Sequence, residues 1–155
     1  MKYEFHSSSV DSTQDFGFRL GGKLRGGDVL CLFGELGAGK TALAQGIGQA
    51  LGVQDYISSP TFTLIHEYPA RVDGEESTLV HVDLYRLQQP EEAEIIGLAD
   101  IMQRNTICLI EWPEIATDLL PEDRLEIRIV GSGNLPRIIT VDTPMGEWAQ
   151  RLQGL

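Results

Sequence analysis

Val29-Leu30-Cys31-Leu32-Phe33-Gly34-Glu35-Leu36-Gly37-Ala38-Gly39-Lys40-Thr41 is the stretch on which the reading of this chain turns. Its first five residues are continuously apolar, as in a strand buried on both faces. The next eight follow the pattern Gly-x-x-x-x-Gly-Lys-Thr. Beyond them Leu43, Ile47 and Leu51 recur every four residues and Ala44 widens the stripe. That spacing predicts an amphipathic helix from Thr41 to about Leu51, with Gly52 as its stop. Strand, glycine-rich loop and helix in that order are what a phosphate-cradling loop requires.

The chemistry follows from the residue types. Glycines let the loop curl so that the N–H groups of Glu35, Leu36, Gly37, Ala38 and Gly39 converge as an anion nest. The helix start adds partial positive charge and spare N–H donors from the turn that holds Lys40, Thr41 and Ala42. Lys40 reaches the outer phosphates as a mobile point charge, and the Thr41 hydroxyl is a magnesium ligand. The expectation is a nucleoside triphosphate held with Mg2+, and ATP hydrolysis. No Asn/Thr-Lys-x-Asp guanine motif is present in the sequence, which favours ATP over GTP.

Such a site needs hard oxygen ligands and a group that orients the attacking nucleophile. Glu111 ends the apolar run Ile107-Cys108-Leu109-Ile110, and Asp83 ends Leu79-Val80-His81-Val82, so both carboxylates are placed at strand ends. Glu111 is the stronger candidate. His81, two residues before Asp83, falls on the same side of the strand and is placed to support it. Thr61 and Thr63 lie in a polar segment that suits either a γ-phosphate-sensing loop or ordinary strand threonines. Trp112 either covers the site or fills the core. His6 and His66 carry no catalytic pattern.

The rest of the chain bounds the fold. A length of 155 residues predicts one domain, here 1–155. Tyr3 to Phe5 reads as a short strand, and Val10 to Leu24 as a helix entered through Ser7-Ser8-Ser9. Thr61 to Tyr68 and Thr78 to Asp83 flank an Asp73-Gly74 turn signal and form a predicted hairpin. Leu125 to Val130 and Arg137 to Val141 alternate around Gly131-Ser132-Gly133-Asn134 and form a second. Glu91 to Leu98 and Pro144 to Leu152 read as helices, and Pro113 to Pro121 brackets a short irregular or helical stretch. The fold class expected is α/β: a mixed sheet of phosphate-loop NTPase type with flanking helices and antiparallel hairpins.

Composition narrows the function classes. A net charge of −11 repels phosphate backbones and argues against tight stand-alone nucleic-acid binding. The nucleotide site must therefore supply its positive field locally, and the acidic surface points to protein partners. Cys31 and Cys108 sit in apolar runs without metal-ligand spacing, so both are expected to be buried strand thiols. The absence of a secretory pattern at Met1 to His6 and of any membrane-length apolar run gives a cytoplasmic protein as the expectation.

Four blocks together carry a family resemblance: Gly34 to Thr41, Ser59-Pro60-Thr61-Phe62-Thr63-Leu64, His81-Val82-Asp83-Leu84-Tyr85-Arg86-Leu87, and Ile110-Glu111-Trp112-Pro113. In order and spacing they resemble the TsaE (YjeE) family, over nearly the whole chain. The resemblance implies an ATPase that supports synthesis of threonylcarbamoyladenosine next to the tRNA anticodon. It implies docking on TsaD-like and TsaB-like proteins, with tRNA met only indirectly. Carried over by position, it makes Lys40 a phosphate ligand, Thr41 and Glu111 the metal side, and Asp83 a catalytic or metal-associated acid. The Ser59 to Leu64 block, with Thr61, becomes a switch-like loop, and Trp112 helps close the site. Thr13 near the first helix and Arg137 in the last hairpin become nucleotide contacts. Two other functions share the phosphate loop: a small-molecule kinase, and a nucleotide-dependent binding module with negligible chemistry. The kinase reading lacks an arginine-rich lid segment.

Overall fold

The computed structural model describes residues 2–59, 64–95, 97–103, 105–143 and 146–155. Among the described residues seven strands form one sheet: β1 (Lys2–Ser7), β2 (Val29–Phe33), β3 (Ile65–Val72), β4 (Glu75–Asp83), β5 (Ile107–Glu111), β6 (Leu125–Val130) and β7 (Arg137–Asp142). Their order is β1-β7-β6-β2-β5-β4-β3. β2 lies in the middle and pairs in parallel with β5 and β6, and β5 pairs in parallel with β4. The flanks are antiparallel: β3 on β4, β7 on β6 and β1 on β7. This is the mixed α/β sheet with antiparallel hairpins that the apolar runs and turn signals predict.

Alternation along the central strands divides the core in two. Leu30 and Leu32 of β2, Leu79 of β4 and Ile107 and Leu109 of β5 face one side. There they meet Phe16 and Leu20 of α1 (Val10–Gly21), Leu43 and Ile47 of α2 (Lys40–Ala50), and Trp148 of α5 (Gly146–Arg151). Val29, Cys31, Val80, Val82, Cys108 and Ile110 face the other side. They are covered by Leu98 and Ile101 of α4 (Leu98–Gln103) and by Ala116 of a 3-10 helix spanning Pro113–Leu119. Both cysteines are free and buried, as expected of strand thiols.

Local chemistry explains the boundaries. Ser9 caps α1, accepting from the Ser12 N–H at 3.0 Å. The helix stops at Gly21, three residues before the expected Leu24. At the α2 exit Gly52 takes a left-handed φ of 72°, as a C-terminal stop requires. The first hairpin turns on two residues only, Asp73 and Gly74 at φ 52° and 80°, so its strands run longer toward the turn than their β-rich cores suggest. Pro69 is tolerated because β3 is an edge strand. The predicted Glu91 to Leu98 helix divides into α3 (Pro90–Ile95) and α4, separated at Gly97 with φ 79°. Of the expected Thr61 to Tyr68 strand, Thr61, Phe62 and Thr63 lie outside the described residues.

One packing feature positions the functional end. α1 crosses α2 through small residues: a Cβ on Gly17 would meet the Leu43 carbonyl at 2.4 Å, and one on Gly46 would meet the Gln14 carbonyl at 2.1 Å. The helices therefore touch backbone to backbone. That contact places the start of α1 against the loop between β2 and α2. Among the described residues no helix is long and apolar enough to cross a membrane.

Candidate functional site

The loop leaving β2 is shaped by its glycines. Gly37 and Gly39 have φ of 81° and 114°, which only glycine adopts cheaply. Gly34 is needed for space: a Cβ there would stand 3.0 Å from the Ile129 carbonyl and 3.3 Å from the Ala38 side chain. The Ala38 N–H donates to the Glu35 carbonyl at 3.0 Å and tightens the curl, with Glu35, Leu36 and Gly37 exposed at its crest. Gly39 caps α2 without any side-chain bond, and no acidic residue occupies the first turn. The positive helix end, with Thr41 and Ala42 in its first turn, is thus left for an external anion.

Lys40 lies directly beneath. Its ammonium donates to the Gly34 carbonyl at 2.7 Å, stands 3.8 Å from Glu111 Oε1, and lies 4.0 Å from the Trp112 ring centroid. Only 5% of the residue is exposed. Burial pushes its pKa below the usual lysine value, opposed by the negative charges of Glu111, Asp83, Glu114 and Glu35. A concentrated cation among carboxylates, short of solvent, is what a polyphosphate with its metal ion can exploit.

The carboxylates arrive by strand register. Leu32 pairs with Glu111, and Glu111 with Asp83, so both acids stand at the carboxyl ends of adjacent parallel strands beside the loop. This is where ligands bind in open α/β sheets. Both are buried. Asp83 Oδ1 accepts from the Tyr85 N–H at 2.8 Å, and the Asp83 N–H donates to the Leu64 carbonyl at 2.8 Å. Glu111 Oε2 is 2.5 Å from His81 Nε2. His81 is thus bonded to Glu111 across the sheet, where strand position alone suggested support for Asp83.

Trp112 belongs to neither core. Its backbone is left-handed, with φ 54° and ψ 55°, a costly conformation for so bulky a residue. The twist turns the ring onto Lys40 and against Tyr85, with ring centroids 4.9 Å apart. Covering, rather than core filling, is the geometry found.

Thr13 and Arg137, distant in sequence, meet at the other side of the loop. A cavity of about 280 Å³ is lined by Ser9, Thr13, Gly37, Gly39, Ala42 and Arg137, among others. The buried Thr13 shares a 2.6 Å hydrogen bond with Ser7 Oγ, which fixes it against the loop. Arg137 Nε donates to the Ala38 carbonyl at 2.9 Å, and Nη2 to the Gly37 carbonyl at 3.3 Å. Sequence reasoning gave Ser7 only a place at the helix start and set His81 beside Asp83; their bonds to Thr13 and Glu111 join partners that only folding supplies. Thr61, expected in a phosphate-sensing loop, lies outside the described residues.

Comparison with known proteins points to one family. The family model described as "Threonylcarbamoyl adenosine biosynthesis protein TsaE" matches residues 7–139. A Streptomyces coelicolor protein named "tRNA threonylcarbamoyladenosine biosynthesis protein TsaE" is 43% identical over 142 residues, covering 88% of this chain and 93% of its own. A Treponema pallidum protein of the same name is 39% identical over 137 residues, covering 87% and 96%. The crystal structure of YdiB from Bacillus subtilis superposes with a TM-score of 0.81 at 28% identity, covering 97% of this chain and 91% of that one.

Proposed function

This chain belongs to the TsaE family, whose members serve tRNA threonylcarbamoyladenosine biosynthesis, and from that premise we propose that it is the ATPase of that modification, working on a complex of TsaD-like and TsaB-like proteins in the cytoplasm. The observation that carries the proposal is the buried Lys40 ammonium, held between the Gly34 carbonyl, Glu111 and the Trp112 ring at the mouth of a glycine loop.

Roles follow from the geometry. The loop N–H groups and Lys40 bind the phosphates, and the cavity walled by Thr13 and Arg137 takes the nucleoside end. Trp112 shields Lys40 from water, which strengthens its interaction with any anion placed there. Glu111 and the Thr41 hydroxyl would hold Mg2+. Both are hard oxygen donors of the kind this ion takes, and Asp83 adds a third at the same edge. Magnesium on a nucleotide needs only one or two protein ligands, the rest being phosphate and water. No cluster of three metal-ligating side chains is found among the described residues, which is compatible with that mode. When bound, Mg2+ neutralises charge on the outer phosphates. Asp83, fixed by the Tyr85 N–H, would either orient the attacking water or bind a water of the metal. The net charge of −11 suits docking on proteins rather than on tRNA itself.

Lys40→Ala should abolish ATP binding, and Glu111→Ala should impair magnesium-dependent phosphate release. Turnover is to be measured with and without the TsaD-like and TsaB-like proteins. Wild-type turnover in both variants would sink the assignment. Tight ATP binding without phosphate release under any condition would instead make the chain a nucleotide-dependent binding module.

A further inference from the structure

His81 is fully buried near the carboxyl end of β4, at 0% exposure, and pairs in register with Leu109 and His66. Its neighbours along the strand are Val80 and Val82, both buried. A leucine would serve packing at such a position and leave no polar atom to satisfy. The histidine keeps Nε2 at 2.5 Å from Glu111 Oε2, while Nδ1 has no hydrogen-bond partner among the described residues. An unpaired buried polar atom costs about 1–3 kcal/mol. The sheet does not require that cost, so the bond to Glu111 is the part that explains it.

An ionised carboxylate only accepts hydrogen bonds, so the proton lies on Nε2 and the ring orientation is set. Glu111 has three side-chain torsions and ends its strand, where it would otherwise sample several rotamers. His81 fixes Oε2 from inside the sheet, and Oε1 is thereby left facing Lys40 at 3.8 Å. We propose that His81 is the positioning residue of Glu111: its Nε2–H locks the carboxylate so that Oε1 is presented to the metal–phosphate site. The proposal rests on the reading of Glu111 as a metal-side carboxylate.

Three substitutions separate donor reach from polarity and from packing. In His81→Gln the amide nitrogen falls near the place of Nε2. In His81→Asn the amide reaches only as far as Nδ1, and in His81→Leu the volume is kept without a donor. The readout is the Mg2+-dependent gain in ADP affinity, measured by calorimetry with and without the metal, alongside the melting temperature. His81→Asn and His81→Leu should lose about 10- to 100-fold of the metal-dependent gain, as removal of outer-shell partners does. Their metal-free ADP affinity should stay unchanged, and His81→Gln should recover most of the gain. Equal metal dependence in all three variants and the wild type would overturn the proposal, as would Gln and Asn behaving alike. Glu111→Gln tests the underlying reading separately: an intact metal-dependent gain in that variant would refute the role of Glu111 itself.

Discussion

Replacing Gly46 by alanine should loosen the proposed nucleotide site from a distance. The added Cβ would lie 2.1 Å from the Gln14 carbonyl oxygen, 2.9 Å from its carbon and 2.9 Å from the Phe18 nitrogen. An ordinary contact starts at 3.4 Å, so α1 and α2 must part by roughly an ångström. All three opposing atoms are backbone, and no rotamer change relieves them. Overpacking costs about 1–3 kcal/mol or more, while alanine regains about 1 kcal/mol of helix propensity. With rigid opponents the upper end applies, and the net loss is about 2 kcal/mol. For a chain of this size that lowers the melting temperature by about 4–8 °C. The same displacement draws Thr13 away from Gly39, so affinity for ADP should fall as well. Gly22→Ala is the matched control: its φ of −67° suits any residue, and its nearest neighbour is a carbonyl at 3.6 Å. It should stabilise by about 0.4–1 kcal/mol. Calorimetric melting of the two variants decides the matter. A Gly46→Ala protein as stable as the wild type would refute the backbone-to-backbone account of the helix crossing.

Arg137 and Cys31 give two further tests. Arg137→Ala removes the donors to the Ala38 and Gly37 carbonyls that tie the last hairpin to the phosphate loop; ADP affinity should fall about tenfold, the equivalent of one charge-assisted hydrogen bond, with turnover at saturating ATP little changed. Fluorescent-nucleotide titration measures the first and phosphate release the second. Burial pushes the Cys31 thiol from 9.0 up to about 12. The folded chain therefore keeps a proton that the unfolded chain loses, and stability should be fully present below pH 9 and decline as pH rises from there toward 12. Urea unfolding between pH 8 and 10.5 should show a shallower decline for Cys31→Ala than for the wild type.

The glycine loop, its strand and its helix were legible because each is a local matter. Five apolar residues bury on two faces, glycines curl the backbone, and a four-residue spacing stripes a helix. Asp83 and Glu111 were also legible, as acids ending apolar runs. Local patterning left open which strands pair, and with it the partner of His81. Strand periodicity put His81 and Asp83 on one side of β4, but the hydrogen bond crosses to Glu111 on β5. Trp112 reads as an aromatic after an acid. Its left-handed backbone, which turns the ring onto Lys40, depends on the 3-10 helix that follows.

By itself, then, the sequence determined the loop, the two carboxylates and an α/β sheet with hairpins, since these depend on spacing along the chain. Register across β2, β5 and β4 decided the rest: it sets Glu111 between Leu32 and Asp83 and brings Lys40 to its side. The meeting of Thr13 with Arg137, 124 positions apart, was decided by two contacts no local pattern encodes. One is the glycine crossing of α1 and α2, and the other is the hairpin that carries Arg137 back to Ala38. Such contacts form only when the core closes, because their energy lies in surfaces that become neighbours on folding.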